Sequence, residues 1–97
     1  MDWKVVLTAR ANRDLEKLLR RIALDDPVAA EQFGLQLLQK LELLGTAPEI
    51  GKLLTERPGA RFLPVGPYIV IYRAKAKHRT VVILRFWHGA RGKRPLR

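Results

Sequence analysis

The segment ARFLPVGPYIVIYRAKAKHRTVVILRFWH, residues 60–88, decides the fold of this chain. Gly66-Pro67 and the polar KAKH turn divide it into three apolar runs that are rich in β-branched residues. Runs of this length and composition between turn residues are typical of β-strands. The segment therefore predicts three consecutive strands, over ARFLPV, PYIVIYRA and RTVVILRFWH.

The last of these strands is apolar on both faces. Strict alternation divides its large side chains into two sets, Val81, Ile83 and Trp87 on one face and Val82, Leu84 and Phe86 on the other. A half-solvated antiparallel sheet would instead present one polar face. Either loops fill the second face or a partner chain covers it, and we expect a partner because few residues remain to build a second layer.

The residues before this segment predict one strand and two helices. WKVVLT (3–8) is short and β-branched, and Thr8 is placed to cap a helix. Apolar residues then recur at helical spacing, at Ala11, Leu15, Leu18, Leu19 and Ile22, with charged residues on the opposite face. Asp26 as N-cap and Pro27 at the first helical position begin a second helix, which continues to Gly45.

The resulting order is β-α-α-β-β-β. It predicts an α+β fold in which a helical hairpin packs on one face of a mainly antiparallel four-stranded sheet. Residues 50–59, which contain two glycines and a proline, are expected to form a loop. A length of 97 residues allows one hydrophobic core, so we expect residues 1–97 to form a single domain.

The charge of the chain is strongly asymmetric. The net charge is +10, and residues 1–48 balance seven Lys or Arg against seven Asp or Glu, so the whole excess lies in residues 49–97. A surface this basic suits nucleic acid or an acidic protein segment. The chain has no cysteine, no apolar run long enough to span a bilayer and a charged beginning, and we expect it to be cytoplasmic.

Two groups of residues are candidates for chemistry. His88, at the end of the last strand, could transfer a proton, but no carboxylate lies near it in sequence to orient it. Clustered guanidinium groups bind phosphate or an acidic segment, and the second half supplies Arg61, Arg73, Arg85, Arg91, Lys93, Arg94 and Arg97. No nucleotide-binding loop, nucleophile elbow or metal cluster is present, so we predict neither a metal nor a cofactor.

Five segments in order resemble the RelE/ParE superfamily, the toxins of bacterial type II toxin–antitoxin modules, which are also known as plasmid stabilisation proteins. They are LTARANRDLEKL, DDPVAAEQF, LGTAPEIG, RFLPVGPYIVIYR and ILRFWHGAR. The resemblance implies a small basic toxin that a cognate antitoxin neutralises by folding over the helices and the sheet, with oligomers formed through that complex. For antitoxin binding we assign Leu15, Leu18, Leu19, Ile22, Arg73, Arg85 and Trp87.

The superfamily has two branches that differ in target. RelE-like members cut mRNA in the ribosome, whereas ParE-like members poison DNA gyrase. Where the ribonuclease branch commonly has Gly-Tyr-Arg, this chain has Pro67-Tyr68-Ile69, and its C-terminal sequence GKRPLR lacks a tyrosine. Gly92 also departs from the usual family continuation. The segments VGPYIVIYR and RFWHGAR are more similar to the ParE branch.

The resemblance therefore implies a ParE-like gyrase poison, for which no catalytic residue is assigned. For target binding we assign Arg85, His88, Arg91, Lys93, Arg94 and Arg97. The alternative is a ribosome-dependent mRNA endonuclease, in which His88 transfers a proton and Arg91 and Arg61 stabilise charge. A second alternative is a nucleic-acid-binding module without toxicity.

Overall fold

The computed structural model of the 97-residue chain describes residues 3–89. Its helices and strands are β1 (Lys4–Leu7), α1 (Ala9–Asp25), α2 (Pro27–Thr46), β2 (Lys52–Leu53), β3 (Ala60–Val65), β4 (Tyr68–Lys75) and β5 (Thr80–His88). Single 3-10 turns at Pro48–Ile50 and Ala76–His78 precede β2 and β5. The two helices pack on one face of the sheet, so the predicted α+β class is confirmed.

Capping residues set the ends of the helical hairpin. Thr8 caps α1, and its hydroxyl oxygen accepts a hydrogen bond from the backbone N–H of Ala11 at 3.0 Å. Asp26 ends α1 and also begins α2, where its carboxylate accepts bonds from the backbone N–H groups of Val28 and Ala29. These caps satisfy donors that have no partner within the helix, so the predicted break at Asp26-Pro27 is confirmed.

The sheet has five strands instead of the predicted four. Their order is β1-β5-β4-β3-β2, with β1 parallel to β5 and every other pair antiparallel. The additional strand, β2, lies within residues 50–59, which were predicted to be a loop. It has only two residues, Lys52 and Leu53, paired with Phe62 and Arg61. Two residues carry no period-2 pattern, so only pairing with β3 defines this strand.

A β-bulge interrupts the pairing of β4 with β5. Tyr72 pairs with Ile83, but the preceding residue Ile71 pairs with Arg85, so Leu84 is an extra residue on β5. A bulge of this kind changes the phase of the alternation by one residue.

The bulge makes the predicted facing of β5 wrong. Phe86 pairs with Val70 and belongs to the helix-side core together with Val81 and Ile83, whereas Trp87 pairs with Ile69 on the opposite face. Apolar residues occur on both faces before and after the bulge, so hydrophobic alternation does not reveal the shift in phase. The charged Arg85 is the exception, since strict alternation would place it on the same face as Val81 and Ile83.

Part of the second face of the sheet is covered by the chain itself. The segment that follows β2 places Leu54 against Ala60 and Ile71, and these three buried residues form a separate small cluster. Phe62, Ile69 and Leu84 lie partly buried around them. Of the two explanations for a doubly apolar strand, the loop therefore accounts for part of the coverage.

Tyr72 joins the 3-10 turn that follows α2 to the sheet. Its fully buried hydroxyl donates to the carbonyl of Pro48 at 2.6 Å and accepts from the N–H of Gly51 at 2.9 Å. Burial raises the pKa of Tyr72 above its usual value of 10.0, because the phenolate would lose its hydration.

Candidate functional site

A basic groove lies between α1 and the end of β5 and encloses about 460 Å³. It is called the α1–β5 groove below. Its cationic side chains are Arg10, Arg13, Lys17, Arg20, Arg21 and Arg85. Asp14 is the acidic residue among those that line it, and Leu18, Tyr68 and Phe86 contribute to its apolar lining. The groove therefore combines a high density of positive charge with a floor formed by the core.

The groove exists because β1 is shorter than β5. Strand pairing of β1 with β5 stops at Leu7 and Ile83, which leaves the end of β5 without a neighbouring strand on that side. The start of α1 occupies this edge. Thr8 donates to the carbonyls of Ile83 and Leu84, and the N–H of Phe86 donates to the Asp14 carboxylate at 3.1 Å. The start of α1 thus supplies hydrogen-bond partners to backbone groups of β5 that a longer β1 would otherwise bind.

Asp14 and Arg85 form a largely buried bidentate ion pair in the groove. Nε of Arg85 lies 2.7 Å from Oδ2 of Asp14, and Nη2 lies 3.2 Å from Oδ1. The guanidinium carbon is also 5.5 Å from the centre of the Trp87 ring. Arg85 was assigned to both target and antitoxin binding, and it is only 9% exposed here. Those assignments stay predictions, and the structure shows Arg85 in a bond between α1 and β5.

His88 ends β5, as the sequence predicted, and its ring packs against Tyr68. The two ring centres are 4.9 Å apart at an interplanar angle of 84°, and Tyr68 in turn contacts Phe33 edge-on. The imidazole is half-buried and lines the groove together with the cations of α1. Its assignment to target binding, and its role as a proton-transfer group in the alternative, stay predictions.

Within residues 3–89, Arg61 does not lie close to His88. Arg61 donates to the backbone carbonyls of Glu49 and Gly51, at 3.2 and 2.7 Å. Arg61 on β3 pairs with Tyr72 of β4, whereas His88 on β5 pairs with Tyr68, four residues earlier on β4. Arg61 and His88 therefore lie two strands apart. Strand geometry separates the two by roughly 16 Å. The remaining candidates Arg91, Lys93, Arg94 and Arg97 lie outside the described residues 3–89.

The residues assigned to antitoxin binding lie in three places. Leu18 is buried in the core, and Leu15, Leu19 and Ile22 pack partly buried against it. Arg73 lies half-buried on β4, and Trp87 on the sheet face opposite the helices. The assignment stays a prediction, while the leucines of α1 already have the sheet as their packing partner.

The cations of α1 were not predicted to be part of the site. They were placed on the charged face of the first helix and not assigned to a site, because charge counted over residues 1–48 sums to zero. The compensating acids, however, include Asp25 and Asp26 at the hairpin turn and Glu31 and Glu42 on α2. Positions 10, 13, 17, 20 and 21 share one helical face, so charge counted by face would have found them.

A second groove, apolar in character, lies between α2 and β1. It is lined mainly by Trp3, Val5, Leu7, Leu38 and Leu41. Leu35 and Leu38 of α2 are each 59% exposed. Among residues 3–89, no three His, Asp or Glu side chains come together as a metal site would require. Neither helix in that range is long and apolar enough to cross a membrane.

A family model described as the ParE toxin of the type II toxin–antitoxin system parDE matches residues 5–92. The chain belongs to the ParE toxin family. Toxin RelE1 of Caulobacter vibrioides is 29% identical to this ParE-family chain over 89 residues, which are 92% of this chain and 96% of the relative. Membership of the RelE/ParE superfamily, predicted from the five ordered segments, is confirmed.

Two solved structures show the same fold. A chain of the RelBE2 toxin–antitoxin complex of Mycobacterium tuberculosis is 32% identical, with a TM-score of 0.65 over 91% of this chain and 99% of that chain. A chain of the chromosomal ParDE system from P. aeruginosa has a TM-score of 0.71 and covers 89% of this chain and 95% of its own. At 19% identity the second likeness concerns the fold alone.

Proposed function

We propose that this ParE-family toxin inhibits growth by poisoning DNA gyrase and that a cognate antitoxin holds it inactive. The match to the ParE family over residues 5–92 carries the proposal. The placement of Arg61 supports it, because that arginine holds the carbonyls of Glu49 and Gly51 and lies far from His88. A ribonuclease needs its proton-transfer and charge-stabilising groups close to one phosphate.

The proposed antitoxin finds apolar surface on this chain away from the basic groove. Exposed leucines on α2 lie beside the apolar groove between α2 and β1. β1 is also an edge strand, with β5 on one side alone within the described sheet. An amphipathic segment that folds on binding uses such surfaces. The Mycobacterium tuberculosis chain that this chain resembles belongs to a toxin–antitoxin complex, which supports a cognate antitoxin as the partner here.

Expression without the neighbouring antitoxin gene tests the gyrase proposal. We expect growth to stop and the DNA-damage response to be induced, and we expect purified protein to perturb supercoiling by gyrase. Unchanged supercoiling at high molar excess of folded toxin would contradict the gyrase target. Normal growth of cells that accumulate the folded protein would instead favour the non-toxic binding module.

The relatives named for RelE favour a second candidate, a ribosome-dependent mRNA endonuclease. In that case His88→Ala abolishes toxicity while antitoxin binding persists, and cellular mRNA shows codon-linked cuts. His78→Ala is the matched control, because His78 is exposed in the turn before β5. Transcripts that stay intact after growth has stopped would exclude this candidate.

A further inference from the structure

The cationic face of α1 carries charge that the described part of the chain does not neutralise. This face consists of Arg10, Arg13, Lys17, Arg20 and Arg21, all of them exposed. Within residues 3–89, Asp14 forms its ion pair with Arg85, and no carboxylate forms one with any residue of the cationic face. Five like charges on one side of a helix repel one another, so a polyanion bound there relieves an unfavourable arrangement.

The spacing of these charges matches a regular polyanion. Arg10 and Arg21 are eleven residues apart on a continuous helix, which corresponds to roughly 16 Å along its axis. One strand of DNA rises about 3.4 Å per nucleotide along the duplex axis, so this face is as long as about five nucleotide steps. This length would allow the cations to contact several phosphates at once.

The floor of the groove argues against an acidic protein segment as the occupant. Leu18, Tyr68 and Phe86 are 8%, 8% and 3% exposed, so they offer little apolar area to a partner. Leu24, at the end of α1, is the exposed exception. Protein segments bind through buried apolar anchors. Three of the five exposed leucines among residues 3–89 lie on α2, away from this groove.

The aromatic residues of the groove argue for a duplex over a single strand. Tyr68 is buried and its ring meets His88 edge-on, while Arg85 lies over the Trp87 ring. Proteins that bind single strands stack bases on open aromatic faces. The rings here are occupied by contacts within the chain, which leaves phosphates as the groups that the groove recognises.

From these observations we propose that the cationic face of α1 binds the phosphate backbone of double-stranded DNA without reading its bases. The choice of DNA over duplex RNA rests on the proposed gyrase target, since gyrase brings the toxin to DNA. The α1–β5 groove then contacts DNA in addition to any contact that the toxin makes with gyrase.

Fluorescence anisotropy of the purified full-length chain with labelled 20-base-pair duplexes of two unrelated sequences tests the proposal. The groove variant carries Arg13→Gln, Lys17→Gln and Arg20→Gln, which keep good helix formers in α1. The matched control removes the same charge from exposed lysines outside the groove, by the substitutions Lys52→Gln, Lys75→Gln and Lys77→Gln. Circular dichroism establishes that both variants are folded.

We expect equal affinity for the two sequences and about 500-fold weaker binding by the groove variant at 0.1 M salt, because each of the three lost phosphate contacts contributes roughly eightfold relative to 1 M salt. The slope of log K against log salt becomes about 2.7 units shallower, at about 0.9 for each lost contact. The control variant keeps most of the affinity and the slope.

Four results would overturn the inference. They are an equal loss in both variants, tighter binding of the single strand, tighter binding of an RNA duplex of the same sequence, or displacement of DNA by polyglutamate at equal charge. Supercoiling assays on the same preparations separate the two proposals. DNA binding without an effect on gyrase counts against the gyrase target alone, and an effect on gyrase without DNA binding overturns this inference alone.

Discussion

Replacing Asp14 by alanine removes the carboxylate that joins α1 to β5. That carboxylate accepts two hydrogen bonds from the Arg85 guanidinium and a third from the N–H of Phe86. The side chains of Arg85 and Asp14 are 11% and 15% exposed, so water cannot fully replace the lost partner. The variant leaves a buried positive charge and a strand-edge N–H without their acceptor.

The expected cost is large for a single substitution. Removing one partner of a buried ion pair lowers the free energy of unfolding by about 3–5 kcal/mol. For a chain of 97 residues, a loss of 3 kcal/mol corresponds to a fall in Tm of roughly 12–24 °C. Such a loss is a substantial part of the roughly 5–15 kcal/mol that stabilises a typical domain.

Urea unfolding followed by circular dichroism measures this loss as a shift of the midpoint at constant m-value. Glu16→Ala is the matched control, because Glu16 is an exposed acid on the same helix, and its expected effect is within about 0.5 kcal/mol. The double variant Asp14→Ala with Arg85→Met removes the buried charge, and we expect it to regain about 1–3 kcal/mol over the single variant. If Asp14→Ala unfolds at the same urea concentration as Glu16→Ala, the ion pair does not hold α1 to β5.

Tyr72→Phe removes the hydroxyl that binds Pro48 and Gly51, and we expect a loss of about 1–3 kcal/mol in urea unfolding; an unchanged midpoint would contradict the role of that hydroxyl. Burial raises the pKa of Tyr72 above 10.0, so its contribution is complete below about pH 10 and is lost as pH rises through the folded-state pKa. The alkaline loss of stability should therefore be smaller in Tyr72→Phe, and parallel pH profiles would refute this. Gly51→Ala places a methyl group 2.5 Å from the Tyr72 hydroxyl oxygen and 2.8 Å from the Phe62 carbonyl, and we expect a loss of about 1–3 kcal/mol. Gly34→Ala, in open space on α2, should leave stability equal or raise it by up to about 1 kcal/mol, and equal effects at the two glycines would contradict the packing argument.

The elements that the sequence predicted well are those specified by neighbouring residues. Thr8 and Asp26 cap helices through bonds to N–H groups two or three residues further on. The apolar stripe of α1 and the turns on either side of β4 are likewise local patterns. Strand β2 was not predicted because two residues are too few to show an alternation of apolar and polar side chains.

The candidate site was predicted only in part. His88 was correctly placed at the end of the last strand, but the cations of α1 were not associated with it. The carboxylate that contacts the end of β5 is Asp14, which is 71 residues away from Arg85 along the chain. It binds Arg85 and Phe86. A contact between residues so far apart in the sequence cannot be predicted from local spacing or composition.

By itself the sequence determined the class of fold, the helical hairpin, the basic character of the chain and its superfamily. Capping, periodicity and charge depend on residues that are close together in the sequence, so they can be predicted without the tertiary structure. The tertiary structure alone decided the phase of β5 and the partner of Arg85, and it placed five α1 cations beside the last strand. These features depend on strand register and on the short length of β1, which arise only when distant segments pair.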